Sequence, residues 1–135
     1  MNLVIEEYKT YREEEILPLY ESVGWTIYCQ RPEMLKKAYA GSYCILGAYV
    51  DGKLVGILRA AGDGASVLLV QDLLIDPEYQ HKGIGTKLMQ EMLRHSEDVY
   101  QLHLLTDNTP KTVQFYRSVG LKEADTLGIK TFTRM

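Results

Sequence analysis

Apolar and polar residues change rhythm near residue 43, from helical spacing before it to strand-like runs after it. Leu3 to Glu7 is a short candidate strand. Thr10 followed by Glu13 has the spacing of a capping box, opening a helix through Glu13-Glu14-Glu15 toward Ser22. Pro18 inside that helix predicts a kink or a split, and Gly24 ends it. Pro32 suits the first turn of a second helix, Glu33 to Ala40, with Gly41 just past its end.

Beyond this point, Tyr43 to Val50 and Lys53 to Ala60 read as strands joined by Asp51-Gly52, a strong hairpin signal. Gly62-Asp63-Gly64 turns the chain into a strand from Ser66 to Ile75. A helix follows from about Gly83 to His95, with Ile84, Leu88, Met89, Met92 and Leu93 on one face. Tyr100 to Thr106 is a strand. Thr109 caps a helix that begins with Pro110 and stops before Gly120. Two short strands, Leu121 to Ala124 and Ile129 to Arg134, are expected to close the chain. The order β-α-α-β-β-β-α-β-α-β-β predicts an α/β protein with a mixed sheet and helices on its faces. The strand ending at Ile75, its helix and the strand from Tyr100 form a parallel, right-handed crossover.

Composition narrows the function. The 135 residues, with 46% hydrophobic and 24% charged, suit a single globular domain over residues 1–135. Fifteen basic against eighteen acidic residues leave a net charge of −3, which argues against nucleic acid as a partner. No signal-peptide pattern or apolar run of spanning length is seen, so a cytoplasmic protein without a membrane partner is expected. Cys29 and Cys44 are expected as free, buried thiols. No His, Cys, Asp or Glu cluster has metal-ligand spacing, so no metal is expected. Tyrosine stands out: ten, against two phenylalanines and one tryptophan.

The segment Leu73-Leu74-Ile75-Asp76-Pro77-Glu78-Tyr79-Gln80-His81-Lys82-Gly83-Ile84-Gly85-Thr86 carries the chemistry. A strand enters a turn with two glycines that opens into an amphipathic helix. Free N–H groups at a helix start, approached closely over glycine, make an anion site, and Lys82 adds a mobile positive charge. A Walker A loop is absent. The dinucleotide fingerprint fails because Leu88 holds its third glycine position and Asp76 to Lys82 intervene. The plain alternative is that Gly83 and Gly85 only permit close helix–sheet packing.

Gln80-x-x-Gly83-x-Gly85 resembles the acyl-CoA pyrophosphate loop of the GNAT superfamily of N-acyltransferases. Asn108-Thr109-Pro110-Lys111-Thr112-Val113-Gln114-Phe115-Tyr116-Arg117-Ser118-Val119-Gly120-Leu121 resembles that superfamily's Asn…Phe-Tyr-x-x-x-Gly-Phe segment, with Leu121 replacing the usual Phe. The Gly24-Trp25 region, the Arg59…Asp63 turn, Gln71 to Gln80 and Gly128-Ile129-Lys130 are similar to the branch containing plastid arylalkylamine acetyltransferases and their bacterial relatives. The resemblance implies a mostly antiparallel, twisted sheet with a central parallel βαβ crossover.

The resemblance also implies acetyl transfer from acetyl-CoA to a primary amine of a small molecule, by direct attack in a ternary complex. The pantetheine arm would lie along Leu73, Leu74 and Ile75, with a backbone N–H of Leu74 or Ile75 as oxyanion donor. The cofactor's pyrophosphate would rest on Gln80, His81, Lys82, Gly83, Ile84, Gly85 and Thr86. Asn108 would contact the pantetheine or cap a helix, and Tyr116 would protonate the leaving sulfur. Asp72 is a candidate base, directly or through water, or else an ion-pair partner of Arg59. Strand alternation sends only one of Gln71 and Asp72 toward substrate unless a bulge intervenes. Trp25, Tyr28 and Tyr39 come from the region that covers the acceptor in this superfamily. A protein or peptide acceptor and a non-catalytic acetyl-CoA-binding module are the rival readings. The C-terminal strands would offer an edge for a homodimer.

Overall fold

The computed structural model describes Met1 to Met135 and contains five strands and five α-helices. The strands are β1 (Leu3–Glu7), β2 (Cys44–Val50), β3 (Lys53–Gly62), β4 (Val67–Ile75) and β5 (Gln101–Leu104). The helices are α1 (Glu13–Ser22), α2 (Thr26–Gln30), α3 (Pro32–Ala40), α4 (Ile84–His95) and α5 (Pro110–Ser118). Two compact units result, Met1–Leu105 and Thr106–Met135. No helix is long and apolar enough to cross a membrane.

The first unit holds the whole sheet, in the order β1-β2-β3-β4-β5. The first three pairings are antiparallel and β4–β5 is parallel, so the crossover through α4 forms as expected. That parallel pair lies at the sheet's edge rather than its centre, because no strand forms after β5. Asp51 and Gly52 both take positive φ, at 50° and 83°, the backbone a two-residue hairpin of right-handed twist requires.

A register shift in β4 decides which face its side chains reach. Arg59 of β3 stands opposite Asp72 and Ala60 opposite Val70, so Gln71 is an extra residue. A bulge of this kind breaks strict alternation. Leu68 consequently lines a hollow with Met92 of α4, whereas Leu74 packs on the opposite face with Ile16, Leu19, Tyr20 and Leu35 of α1 and α3. Helix α4 buries Ile84, Leu88, Met89 and Met92 of the stripe its spacing predicted, and the fifth, Leu93, is only half-buried.

Helix α1 begins two residues later than the expected capping box requires. The extended residue at its start is Arg12, and no side chain of the Thr10–Glu13 pair caps it. Tyr8 takes over instead: its hydroxyl accepts the Arg12 N–H at 3.1 Å and donates to Glu15 at 2.7 Å. Pro18 is accommodated without splitting α1, and the break falls at Val23–Gly24, after which α2 forms as an unforeseen short helix. Gly41 ends α3 at φ −92°, not in a left-handed conformation. Cys29 and Cys44 are free and only half-buried.

In the second unit, Thr109 caps α5 by accepting the Thr112 N–H, with Pro110 in the first turn. The two C-terminal strands do not form. A strand persists only as part of a ladder, and this unit holds no strand for Leu121–Ala124 or Ile129–Arg134 to pair with. Ala124–Leu127 instead make a 3₁₀ turn closed by Gly128 at φ 77°.

Candidate active site

Strand β5 pairs with β4 only from Val67 to Val70, leaving Gln71 to Ile75 without a neighbour on that side. Asp76 donates its N–H to Val55 of β3 at 2.8 Å. Ladder groups alternate, so Leu74 also faces β3, while Leu73 and Ile75 turn theirs toward the open edge. The Ile75 carbonyl on that edge accepts from Gln80 Nε2 at 3.0 Å, which ties the following loop to the strand. Of the two N–H groups considered as oxyanion donors, only that of Ile75 is therefore turned outward, and Leu73 adds another.

The loop between β4 and α4 ends in unusual backbone. His81 has φ 63° and Gly83 φ 82°, both left-handed. No atom lies within 4 Å of where a Cβ on Gly83 would project. The N–H groups of His81, Lys82, Gly83, Ile84, Gly85 and Thr86 find no acceptor in the protein, and no side chain caps α4. Orphan donors at the positive end of a helix dipole favour an anion, most of all where nothing obstructs its approach. His81 and Lys82 are exposed beside them.

On the α1–α3 face, β4 carries a buried charge. Asp72 is 1% exposed, and its Oδ2 accepts from Arg59 Nε and from the Tyr20 hydroxyl, both at 2.7 Å. Pairing with Arg59, one of the two roles considered for Asp72, is the arrangement found. Tyr28 donates to the other oxygen, Oδ1, at 3.3 Å. Tyr39 lies 2.9 Å from Tyr20, and as Tyr20 gives its proton to Asp72, Tyr39 donates to Tyr20. Arg59 Nη1 reaches Ser42 at 3.3 Å. Burial, then Tyr39 and Asp72, push the Tyr20 phenol far above its ordinary range, so it remains a donor. Burial opposes the charge on Arg59, but the Asp72 carboxylate outweighs it and the guanidinium holds its proton more firmly.

Around this pair stands an aromatic cluster. The Tyr20 ring lies 5.9 Å from Trp25, 5.1 Å from Tyr28 and 6.4 Å from Tyr39, all edge-on. Such edge-to-face contacts each contribute about 0.5–1.5 kcal/mol beyond area burial. The structure thus gathers Trp25, Tyr28, Tyr39 and Asp72 as one group. Gln71, the bulge residue, is exposed and outside it. His103 is exposed on β5, beside Gln101. Tyr20 is the residue sequence reasoning passed over. Its signal was present: Ile16, Leu19 and Tyr20 share the buried face of α1, and a buried tyrosine needs a polar partner.

In the second unit, Thr109 rather than Asn108 caps α5, and Asn108 is exposed. Tyr116 lies on α5 with its ring 5.0 Å from Phe115. Burial, reinforced by Asp107, raises its phenol above the ordinary value, so it is protonated at neutral pH. No three His, Cys, Asp or Glu side chains gather as a metal site would require.

Residues 7–133 match the acetyltransferase (GNAT) domain family, and the chain belongs to it. A GNAT-family acetyltransferase from Streptococcus pneumoniae TIGR4, SP0256, is 37% identical with a TM-score of 0.89 over 99% of this chain and 98% of that one. An uncharacterized ycf52-like N-acetyltransferase of Prochlorococcus marinus is 32% identical over 87% of this chain and 66% of its own length. The histone acetyltransferase TAP1 of Glycine max is 32% identical over 86% of this chain. The chain spans 54% of TAP1 and 31% of the chloroplastic GCN5-related N-acetyltransferase 2 of Arabidopsis thaliana.

Proposed function

We propose that this chain, acting as one domain, transfers an acetyl group from acetyl-CoA to the primary amine of a small molecule in a ternary complex. The observation that carries this reading is the run of unpartnered N–H groups from His81 to Thr86, one loop away from the open edge at Leu73 and Ile75. The pyrophosphate of acetyl-CoA binds the first, with Gln80 holding the loop and Lys82 adding charge. The pantetheine amides pair with the second, and the Ile75 N–H receives the oxyanion as the amine attacks the thioester carbon. The C–S bond then breaks and Tyr116 gives its proton to the thiolate. Asn108 contacts the pantetheine arm. Trp25, Tyr28 and Gln71 contact the acceptor, whose apolar body suits the aromatic faces. TAP1, named a histone acetyltransferase, favours a second reading in which the acceptor is a protein lysine.

Thermal stability with and without acetyl-CoA tests the first claim. Ligand at about 100 times its Kd should stabilise the fold by about 2.7 kcal/mol. Gly83→Asp, which sets a carboxylate among the anion donors, should fold and lose that shift. No shift in the folded wild-type protein at millimolar acetyl-CoA would sink the reading. CoA release with a panel of small amines and a lysine peptide then separates the acceptor classes, and binding without release would favour a sensor of acetyl-CoA.

A further inference from the structure

Asp72 is sealed from solvent at 1% exposure, so it cannot touch an amine directly. Its carboxylate is acceptor-only and has room for about four hydrogen bonds. Oδ2 is occupied by Arg59 and Tyr20, and Oδ1 has Tyr28 alone. Among the groups bonded to Asp72, Arg59 from β3 and Tyr20 from α1 are buried, as is Tyr39 from α3 behind them. Tyr28, on the short helix α2, is the only one that is not. The network leaves the cluster at Tyr28 and, through Arg59, at the half-buried Ser42, but a guanidinium does not give up its proton, so the Tyr28 hydroxyl is the route for proton transfer.

Tyr28 also has a fixed polarity. Its proton points inward to Asp72 Oδ1, so the lone pairs of its oxygen face away from that carboxylate as acceptors. The 3.3 Å separation is long for an O–H···O bond, which does not exclude the contact, because catalytic hydrogen bonds often tighten only once substrate is bound. Asp72, whose Oδ1 the Tyr28 hydroxyl meets, immediately precedes Leu73 on β4, the strand that carries the open edge.

From this geometry we infer that Tyr28 and Asp72 form a two-step proton relay for the acceptor amine, an inference resting on the acetyl transfer proposed above. As the amine nitrogen forms its bond to the thioester carbon, it becomes cationic and a strong acid. One of its protons moves to the Tyr28 oxygen while the Tyr28 proton moves to Asp72 Oδ1. The nitrogen becomes neutral, Tyr28 ends with the hydroxyl it began with, and Asp72 becomes a neutral acid. After product leaves, the same path in reverse returns that proton to water. Arg59 and Tyr20 stay on Oδ2 throughout and hold the carboxyl plane, and the buried Arg59 charge, left without its counter-charge, makes the protonated state short-lived and drives the proton back out. Asp72 thus serves as base without contacting substrate, and Tyr28 is the catalytic group at the nitrogen.

The test compares Tyr28→Phe with Tyr20→Phe, using CoA release from acetyl-CoA with an alkylamine. Tyr28→Phe should keep its melting temperature near that of the wild type and lose about 10²-fold in kcat, the lower end of what positioned proton transfer supplies. Its solvent deuterium isotope effect should change with it: a bowed proton inventory in wild type, from two protons in flight, becomes linear. Tyr20→Phe, which removes a group that holds the carboxyl, should lose stability and some kcat, but the turnover that remains should keep the bowed inventory. Unchanged kcat in folded Tyr28→Phe, or a loss of kcat with the wild-type inventory intact, would overturn the relay. If wild-type protein binds acetyl-CoA but releases CoA with no amine, the proposed transfer fails instead.

Discussion

The guanidinium Nε of Arg59 lies 2.7 Å from Oδ2 of Asp72 across the register shift between β3 and β4, with side-chain exposures of 7% and 1%. Both charges are out of water, so each depends on the other. Removing one partner leaves an unpaired buried charge and costs about 3–5 kcal/mol, whereas replacing both with apolar residues of similar volume is often neutral or stabilising. Arg59→Met and Asp72→Leu should therefore each lower stability by that amount in urea unfolding. The double variant should recover most of the loss. Near-additive losses would mean that the two residues contribute separately and the pair does not act as a unit.

Local signals carried most of the fold. The Asp51-Gly52 hairpin, the buried stripe of α4 and the Thr109-Pro110 start of α5 are each set by a few neighbouring residues, and each appears where its pattern places it. Features that depend on distant partners were harder to read. The Thr10–Glu13 box lost to Tyr8, whose hydroxyl arrives at Arg12 from outside the helix. The alternating Ile129-Lys130-Thr131-Phe132 run has strand character but no strand in its own unit to pair with. At the candidate site, the glycine spacing marked the free N–H groups of α4, and Asp72 was legible as a charge on a strand. That it would be sealed against Arg59 depended on the extra residue at Gln71, which strand alternation alone does not reveal.

Tyr11 supplies a stability test of opposite sign. Its hydroxyl is buried without a hydrogen-bond partner, and its ring lies 5.0 Å from Tyr39. An unsatisfied buried polar group costs about 1–3 kcal/mol. Tyr11→Phe keeps the ring and removes that cost, so thermal and urea unfolding should show stability unchanged or increased. A loss above about 1 kcal/mol would mean that the hydroxyl has a partner after all, such as a bound water.

Asp63, in the turn between β3 and β4, sets a pH dependence. The Ser66 hydroxyl, then the backbone N–H groups of Ala65, Val67 and Ser66, hold its carboxyl well below the ordinary range. A carboxylate depressed in the folded state contributes stability that is present above its unfolded value, about 3.9, and is lost as pH falls below it. Unfolding midpoints measured from pH 6 down to pH 2 should fall in wild type. Asp63→Asn, which cannot titrate, should show a shallower fall below pH 4. Parallel curves for the two proteins would remove Asp63 from the acid transition.

Tyr116 provides the kinetic counterpart. In the proposed transfer Tyr116 is the acid: burial, then the Asp107 charge, raise its phenol above the ordinary value near 10, so its proton is still in place where a free phenol would ionise. General acid catalysis of this type contributes about 10²–10⁴-fold. Tyr116→Phe should lower kcat by that factor while leaving the acetyl-CoA thermal shift intact, because the anion donors lie on α4 and not on α5. The wild-type kcat should also hold up to about pH 10, since the shift is upward and loss of the acid form comes later than for an unperturbed tyrosine. A decline in kcat centred well below pH 10, or full activity in Tyr116→Phe, would assign the leaving-group proton to another residue or to water.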